Sequence, residues 1–206
     1  MLAASASGVP AAEASAVRTI ALIGAGTAGR SFALAAARAG FHVILEDVMP
    51  ANLRNVEADF ADMSERAGDS GSGGRLSLAM TVEDAVRDAD LAIDFVPDEL
   101  ESKLEIFSMM DRMAPPRTIL CTPSDALSIT DLASCVYRPE RSFAIRGSLL
   151  APAKDALRLL YPSAAESSPL AATAAFFRAL GLNVQTEPDP DAPMLMKNLV
   201  PAVSTL

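Results

Sequence analysis

The segment from Thr19 to Asp47, TIALIGAGTAGRSFALAAARAGFHVILED, constrains this chain more than any other. Thr19 to Ile23 is an apolar run suited to a strand buried on both faces. It leads directly into Gly24-Ala-Gly26-Thr-Ala-Gly29, and then into a helical pattern with Phe32, Leu34, Ala35 and Ala36 as its apolar stripe. Gly40 ends that pattern, and a second β-branched run, Val43 to Leu45, closes on Glu46 and Asp47. Each glycine has its own physical reason. Gly24 permits a tight turn out of the strand, Gly26 lets a pyrophosphate approach the backbone, and Gly29 lets the helix pack close to the sheet. The helix N-terminus offers unpaired N–H groups and a partial positive charge to phosphates. Asp47 follows Gly24 by 23 residues, close to the ~20-residue offset of a carboxylate that hydrogen-bonds a ribose diol. Such a carboxylate repels a 2′-phosphate, so the motif predicts NAD rather than NADP. The bland alternative is a tight strand-to-helix turn that holds no ligand.

The totals narrow the classes. A chain of 206 residues, half of them hydrophobic, predicts one domain with an ample core. No apolar run approaches the ~20 residues of a membrane span. A net charge of −9 argues against nucleic acid, whose phosphate backbone repels an acidic surface. Residues Met1 to Val17 are rich in Ala and Ser and contain no Lys or Arg, which reads as a disordered leader rather than a signal peptide. Cys121 and Cys135 form no paired motif with each other or with the single histidine, His42. They read as reduced thiols of a cytoplasmic protein, and no metal site is expected.

Beyond Asp47, strands alternate with helices, which predicts a parallel sheet covered on both sides. Pro50 opens a helix to about Arg66, and Gly68 to Gly74 form a loop. Leu76 to Met80 read as a strand, and Thr81 as the cap of a short helix through Val82, Ala85 and Val86, with Asp84 at its capping-box position. Leu91 to Val96 form an apolar strand closed by Pro97. Glu99 to Met113 repeat apolar residues at helical spacing. Strands at Thr118–Cys121 and Ser142–Ile145 flank a helix capped by Ser128. Pro152 and Pro162 mark a less regular segment. A helix over Ser167–Leu180 and a strand over Leu182–Thr186 follow, and in the terminal segment 188–206 Asp189 to Pro193 break the chain before the apolar residues Met194 to Leu206, which predict a helical tail.

These residues together resemble the NAD-binding domain of the 3-hydroxyacyl-CoA dehydrogenase family. The resemblance runs from about Arg18 to Pro201. It is carried by Ile23 to Gly29, by Ala89-Asp-Leu-Ala-Ile-Asp-Phe-Val-Pro97 and by the helix with Lys103; Leu127 to Thr130, Arg138 to Arg141 and Ala179 to Gly181 add to it. It implies a doubly wound, mostly parallel α/β sheet, a Rossmann fold, over residues 18–187. It also implies a cofactor site built from Gly24, Gly26, Thr27, Ala28, Gly29, Asp47, Val96, Pro97, Asp98 and Lys103. In the family, an acid after the Val-Pro and a lysine five positions on lie against the nicotinamide end; here those are Asp98 and Lys103.

The catalytic half of the family pattern departs. The family's general-base histidine falls at Ser148, its orienting glutamate near Leu160, and its substrate-side asparagine at Met196, two residues before Asn198. Its Ser-Asn-Thr-Ser segment is Thr122-Pro-Ser-Asp125 here, and the all-helical domain usual in the family is expected to be missing after Leu206. Three readings stay open. The first is an oxidoreductase that transfers hydride between NAD and a hydroxy-acid-type small molecule. Asp125 would be its atypical base, desolvated beside the nicotinamide, while Ser148 and Ser124 bind the substrate hydroxyl and Lys103 polarises an oxygen. The second is a catalytically silent NAD-binding module, a sensor or a partner subunit. The third is a fragment of a longer enzyme. In any of them, the apolar tail containing Met194, Leu195, Met196 and Leu199 predicts a homodimer.

Overall fold

A computed structural model describes residues 17–67 and 73–190. Among them one sheet of eight strands is covered by six helices. In chain order these are β1 (Thr19–Ile23), α1 (Thr27–Arg38), β2 (His42–Glu46), α2 (Pro50–Ala67), β3 (Arg75–Ala79), α3 (Val82–Val86) and β4 (Leu91–Asp94). There follow α4 (Leu100–Met113), β5 (Ile119–Pro123), α5 (Ile129–Ala133), β6 (Ser142–Arg146), β7 (Leu157–Tyr161), α6 (Ser167–Ala179) and β8 (Val184–Pro188). The spatial order is β3-β2-β1-β4-β5-β6-β7-β8. Strands β1 to β6 are mutually parallel. β7 runs antiparallel to β6, and β8 parallels β7.

Two-residue alternation sorts the core into layers. Ile20, Leu22, Val43, Leu45, Leu91 and Ile93 face a layer that includes Phe32 of α1, Leu53 of α2 and Phe176 of α6. Ala21, Ile23, Ile44, Ala79, Ala92 and Leu120 face the opposite layer, with Val86 of α3, Phe107 of α4 and Leu132 of α5. A sheet apolar on both faces is what a doubly wound fold requires. Thr81 and Ser128 cap α3 and α5 as expected, accepting hydrogen bonds from the amides of Asp84 (3.1 Å) and Asp131 (3.2 Å). Asp84 bonds the Thr81 hydroxyl (2.8 Å).

Two expectations need correction. Val17, placed at the end of a leader, is buried in the core. The irregular segment between Pro152 and Pro162 contains β7, whose Leu157 and Leu159 face one layer and Leu160 the other. Met1 to Ala16, residues 68–72 and the apolar tail from residue 191 onward lie outside the described residues. The order of strands reverses between β1 and β4, so the crevice beyond their C-terminal ends is the topological switch point, where open α/β sheets place ligands.

Candidate functional site

The switch point is furnished by the glycine loop. Gly24 turns the chain out of β1 at φ +106°, and its N–H donates to the Glu46 carbonyl at 2.8 Å. A Cβ built on Gly29 would stand 2.0 Å from the Gly24 carbonyl oxygen, so only glycine allows α1 to sit this close. A Cβ on Gly26 would meet nothing within 4 Å; the space over that backbone is open. Gly26 is also the N-cap of α1, with no side chain bonded there and no acid in the first turn. The first amides of α1, Thr27 and Ala28 included, thus have no intrahelical partner. This is a cradle for a diphosphate, and its residues fit a dinucleotide.

A cavity of about 480 Å³ opens beside the cradle. It gathers Gly24, Gly26, Asp47, Val96 and Pro97, which the sequence assigned to one site, and adds Glu46, Asn52, Val82, Ile106 and Met109. Thr27 lines a polar cavity next to it, together with Arg30, Asn52 and Asn55. Asp47 is buried and already engaged. Its Oδ2 accepts from the Ala25 N–H (2.7 Å) and the Asn52 amide (3.1 Å), its Oδ1 from the Met49 N–H (2.7 Å). The carboxylate is therefore locked to the glycine loop before any ligand arrives, and one of its ~4 lone-pair positions stays open.

The residues assigned to chemistry are not brought together there. Lys103 is 1 % exposed and lies under the sheet edge, where its Nζ donates to Asp94 Oδ1 at 2.6 Å. Its ammonium neither lines the cavity nor faces an open edge, so the role of polarising a substrate oxygen is corrected: Lys103 neutralises a buried acid. Burial pushes the Asp94 carboxyl upward, and the Lys103 charge opposes that push. The spacing of Lys103 in α4 gave it the face that packs on β4, which the apolar reading of β4 hid because it passed over Asp94. Asp125 is exposed rather than desolvated. Its backbone N–H donates to Asp98 Oδ2 at 3.1 Å, which ties the loop after β4 to the loop after β5. Ser148 is exposed and closes its own turn, its hydroxyl bonding the Leu150 carbonyl (3.2 Å). Ser124 is buried and accepts from the Leu127 N–H (2.9 Å). Both Asp125 and Ser148 follow neighbouring parallel strands, so they share one edge of the sheet.

The histidine and the buried cysteine stay outside the site. His42 Nε2 meets Ser77 Oγ (2.9 Å) at the start of β2, the opposite end from the cavity. Cys121 is fully buried, and burial together with Asp94 pushes its thiol up, so it is no nucleophile. No cluster of His, Cys, Asp or Glu among the described residues could hold a metal. Among them, too, no helix is long and apolar enough to cross a membrane. Sequence reasoning missed Glu46 and Asn52. An acid ending an otherwise apolar strand, one residue before the acid the motif demands, was the visible signal for Glu46.

Fold and site together define a dinucleotide-binding Rossmann domain. Comparison with known proteins narrows that class. Residues 19–146 match the model of the family "3-hydroxyacyl-CoA dehydrogenase, NAD binding domain". The chain is 33 % identical over 134 residues to a probable 3-hydroxybutyryl-CoA dehydrogenase of Bacillus subtilis, covering 61 % of this chain and 46 % of that one. It is 31 % identical over 131 residues to the 5-formyl-3-hydroxy-2-methylpyridine 4-carboxylate 5-dehydrogenase of Mesorhizobium japonicum, covering 61 % and 42 %. It therefore spans about half the length of these curated relatives. The solved (S)-3-hydroxybutyryl-CoA dehydrogenase of Ralstonia eutropha superposes with a TM-score of 0.74 at 21 % identity, over 89 % of this chain and 68 % of that one, and shares the fold. The chain belongs to the 3-hydroxyacyl-CoA dehydrogenase family, through its NAD-binding domain, and its cofactor is NAD.

Proposed function

We propose that this chain is the cofactor half of an NAD-dependent dehydrogenase acting on a CH–OH group of a hydroxy-acid-type substrate. The observation that carries the reading is the continuity of the sheet edge. The glycine cradle after β1, the Val96–Asp98 loop after β4 and the Asp125 loop after β5 follow one another, and the Asp98–Asp125 bond joins the last two. NAD, when bound, supplies the hydride acceptor. The chain's own residues hold its diphosphate on the α1 amides and its ribose by Asp47. Asp125 then takes the proton of the substrate hydroxyl on a carboxylate oxygen, its backbone held by Asp98, and Ser148 releases its weak turn bonds to hydrogen-bond that oxygen. Relatives in this family include enzymes named for both CoA thioesters and a pyridine carboxylate, which supports testing free acids as well as thioesters. The exposure of Asp125 and the burial of Lys103 favour a second reading, an NAD-binding module without chemistry. With either reading goes the expectation, drawn from the sequence, that the apolar tail from Met194 to Leu206 supports a homodimer of a cytoplasmic protein.

The test mixes purified protein with NAD and a panel of short 3-hydroxy acids, free and as thioesters, and follows the reduced-nicotinamide absorbance. Turnover is expected, and Asp125→Ala should lower it about 100-fold or more with NAD affinity unchanged. NAD binding with no turnover anywhere in the panel would reject the dehydrogenase reading and leave the module.

A further inference from the structure

Two buried acids flank Ile23 in one row of the sheet. The register pairs Ile23 with Glu46 on β2 and with Asp94 on β4, and alternation turns both acids toward the α3–α4 layer. They differ in what they meet. Asp94 receives the Lys103 ammonium from within the chain. Glu46 is 4 % exposed, and among the described residues no hydrogen bond or ion pair engages its carboxyl. A buried acid without a partner is costly, and native folds rarely keep one without a use. The open side of Glu46 is the 480 Å³ cavity.

The walls say what the cavity takes. Asp47 lines the same cavity and is tied to the glycine loop through Ala25, so the ribose and diphosphate belong at that loop. Val82, Val96, Ile106 and Met109 give the cavity a mostly apolar wall suited to a flat base, with Asn52, Ser102 and Glu105 as its other polar lining residues. A base entering such a slot brings hydrogen-bonding edges that its apolar side chains leave unsatisfied. We propose that Glu46 is a specificity-determining residue for the adenosine half of NAD, hydrogen-bonding the amino edge of the adenine base from the floor of this slot. This rests on the NAD-binding assignment and adds to it a residue that the glycine motif does not contain. Burial and the adjacent Asp47 push the Glu46 carboxyl upward from its ordinary value. A neutral carboxyl can donate to the ring nitrogen while accepting from the amino group, as a glutamine amide also can.

The experiment is calorimetric titration of NAD, and of 1,N6-etheno-NAD whose added ring blocks the same edge, into wild type, Glu46→Gln and Glu46→Val. Wild type should prefer NAD over the etheno analogue about tenfold, and Glu46→Gln should keep that preference. Glu46→Val should bind NAD about tenfold more weakly and lose the preference. Glu46→Val binding NAD as tightly as wild type, or more tightly, would overturn the proposal, because removing an unused buried acid from an apolar slot can only help the base. Loss of preference in Glu46→Gln alongside Glu46→Val would overturn it too. Wild type that gives no heat with NAD would instead sink the cofactor assignment, and this proposal with it.

Discussion

Along β1, β2 and β4 the C-terminal edge of the sheet is built inward: Asp47 is locked by three hydrogen bonds, Glu46 and Asp94 are buried, and the glycine loop is packed to the limit of contact. Along β5 and β6 the same edge is built outward: Asp125 and Ser148 are exposed, and the bonds around them are a turn and one backbone-to-carboxylate contact. Under the dehydrogenase reading, the difference separates the edge that binds from the edge proposed to react. A cofactor site must be preorganised to hold a large ligand at low entropic cost. A reacting edge can stay wet until the substrate arrives and displaces the water.

The largest effect that contrast predicts comes from the buried pair. Lys103→Met removes the counter-ion of Asp94, which is 0 % exposed, and should destabilise the fold by about 3–5 kcal/mol in urea unfolding. Asp125→Ala, on the open edge, should stay within about 0.5 kcal/mol of wild type. Equal losses in the two variants would erase the distinction between the edges.

The glycines sharpen it next. Gly29→Ala drives a methyl into the Gly24 carbonyl and should cost about 1–3 kcal/mol of stability, with NAD binding lost in calorimetry. Gly26→Ala meets no protein atom, so it should cost at most about 1 kcal/mol, the ordinary penalty of alanine at a helix N-cap. Its methyl stands where a diphosphate would rest, so NAD affinity should still fall at least tenfold. Unchanged NAD affinity in Gly26→Ala would remove the diphosphate from that backbone.

Much of the inward edge was legible beforehand, because it is local. Gly24, Gly26 and Gly29 act within a few residues of one another, and the caps Thr81 and Ser128 bond amides three residues on. What escaped needed pairing across the sheet. Lys103 is nine residues from Asp94 in the chain, and only the packing of α4 on β4 turns a cofactor-facing candidate into a buried counter-ion. β7 escaped because its five residues lie between prolines and find their partner by antiparallel pairing with β6, which an expectation of βα alternation does not contain. Asp125 was given a desolvated setting by analogy with enclosed sites, whereas its loop, following the end of β5, opens to solvent. The chemistry of the outward edge was the least legible part, since exposed polar residues carry no periodicity.

The smallest effect distinguishes the two buried acids by pH. The folded state holds the Glu46 proton more tightly than the unfolded chain, whose glutamate titrates near 4.5. Folded protein therefore binds more protons in that range, and the stability this group contributes is whole below 4.5 and lost as pH rises through the raised folded value. Glu46→Gln cannot titrate. Urea midpoints measured from about pH 4 to 7 should show wild type losing ground to Glu46→Gln as pH climbs. Asp94 is raised in the same direction, but it is present in both proteins and cancels in the difference. Saturating NAD should steepen the slope of wild type alone, because adenine would shield the carboxyl further from water and bind its neutral form. Parallel curves for the two proteins would mean that the Glu46 carboxyl reaches solvent freely, and the inward edge would then end at Asp47.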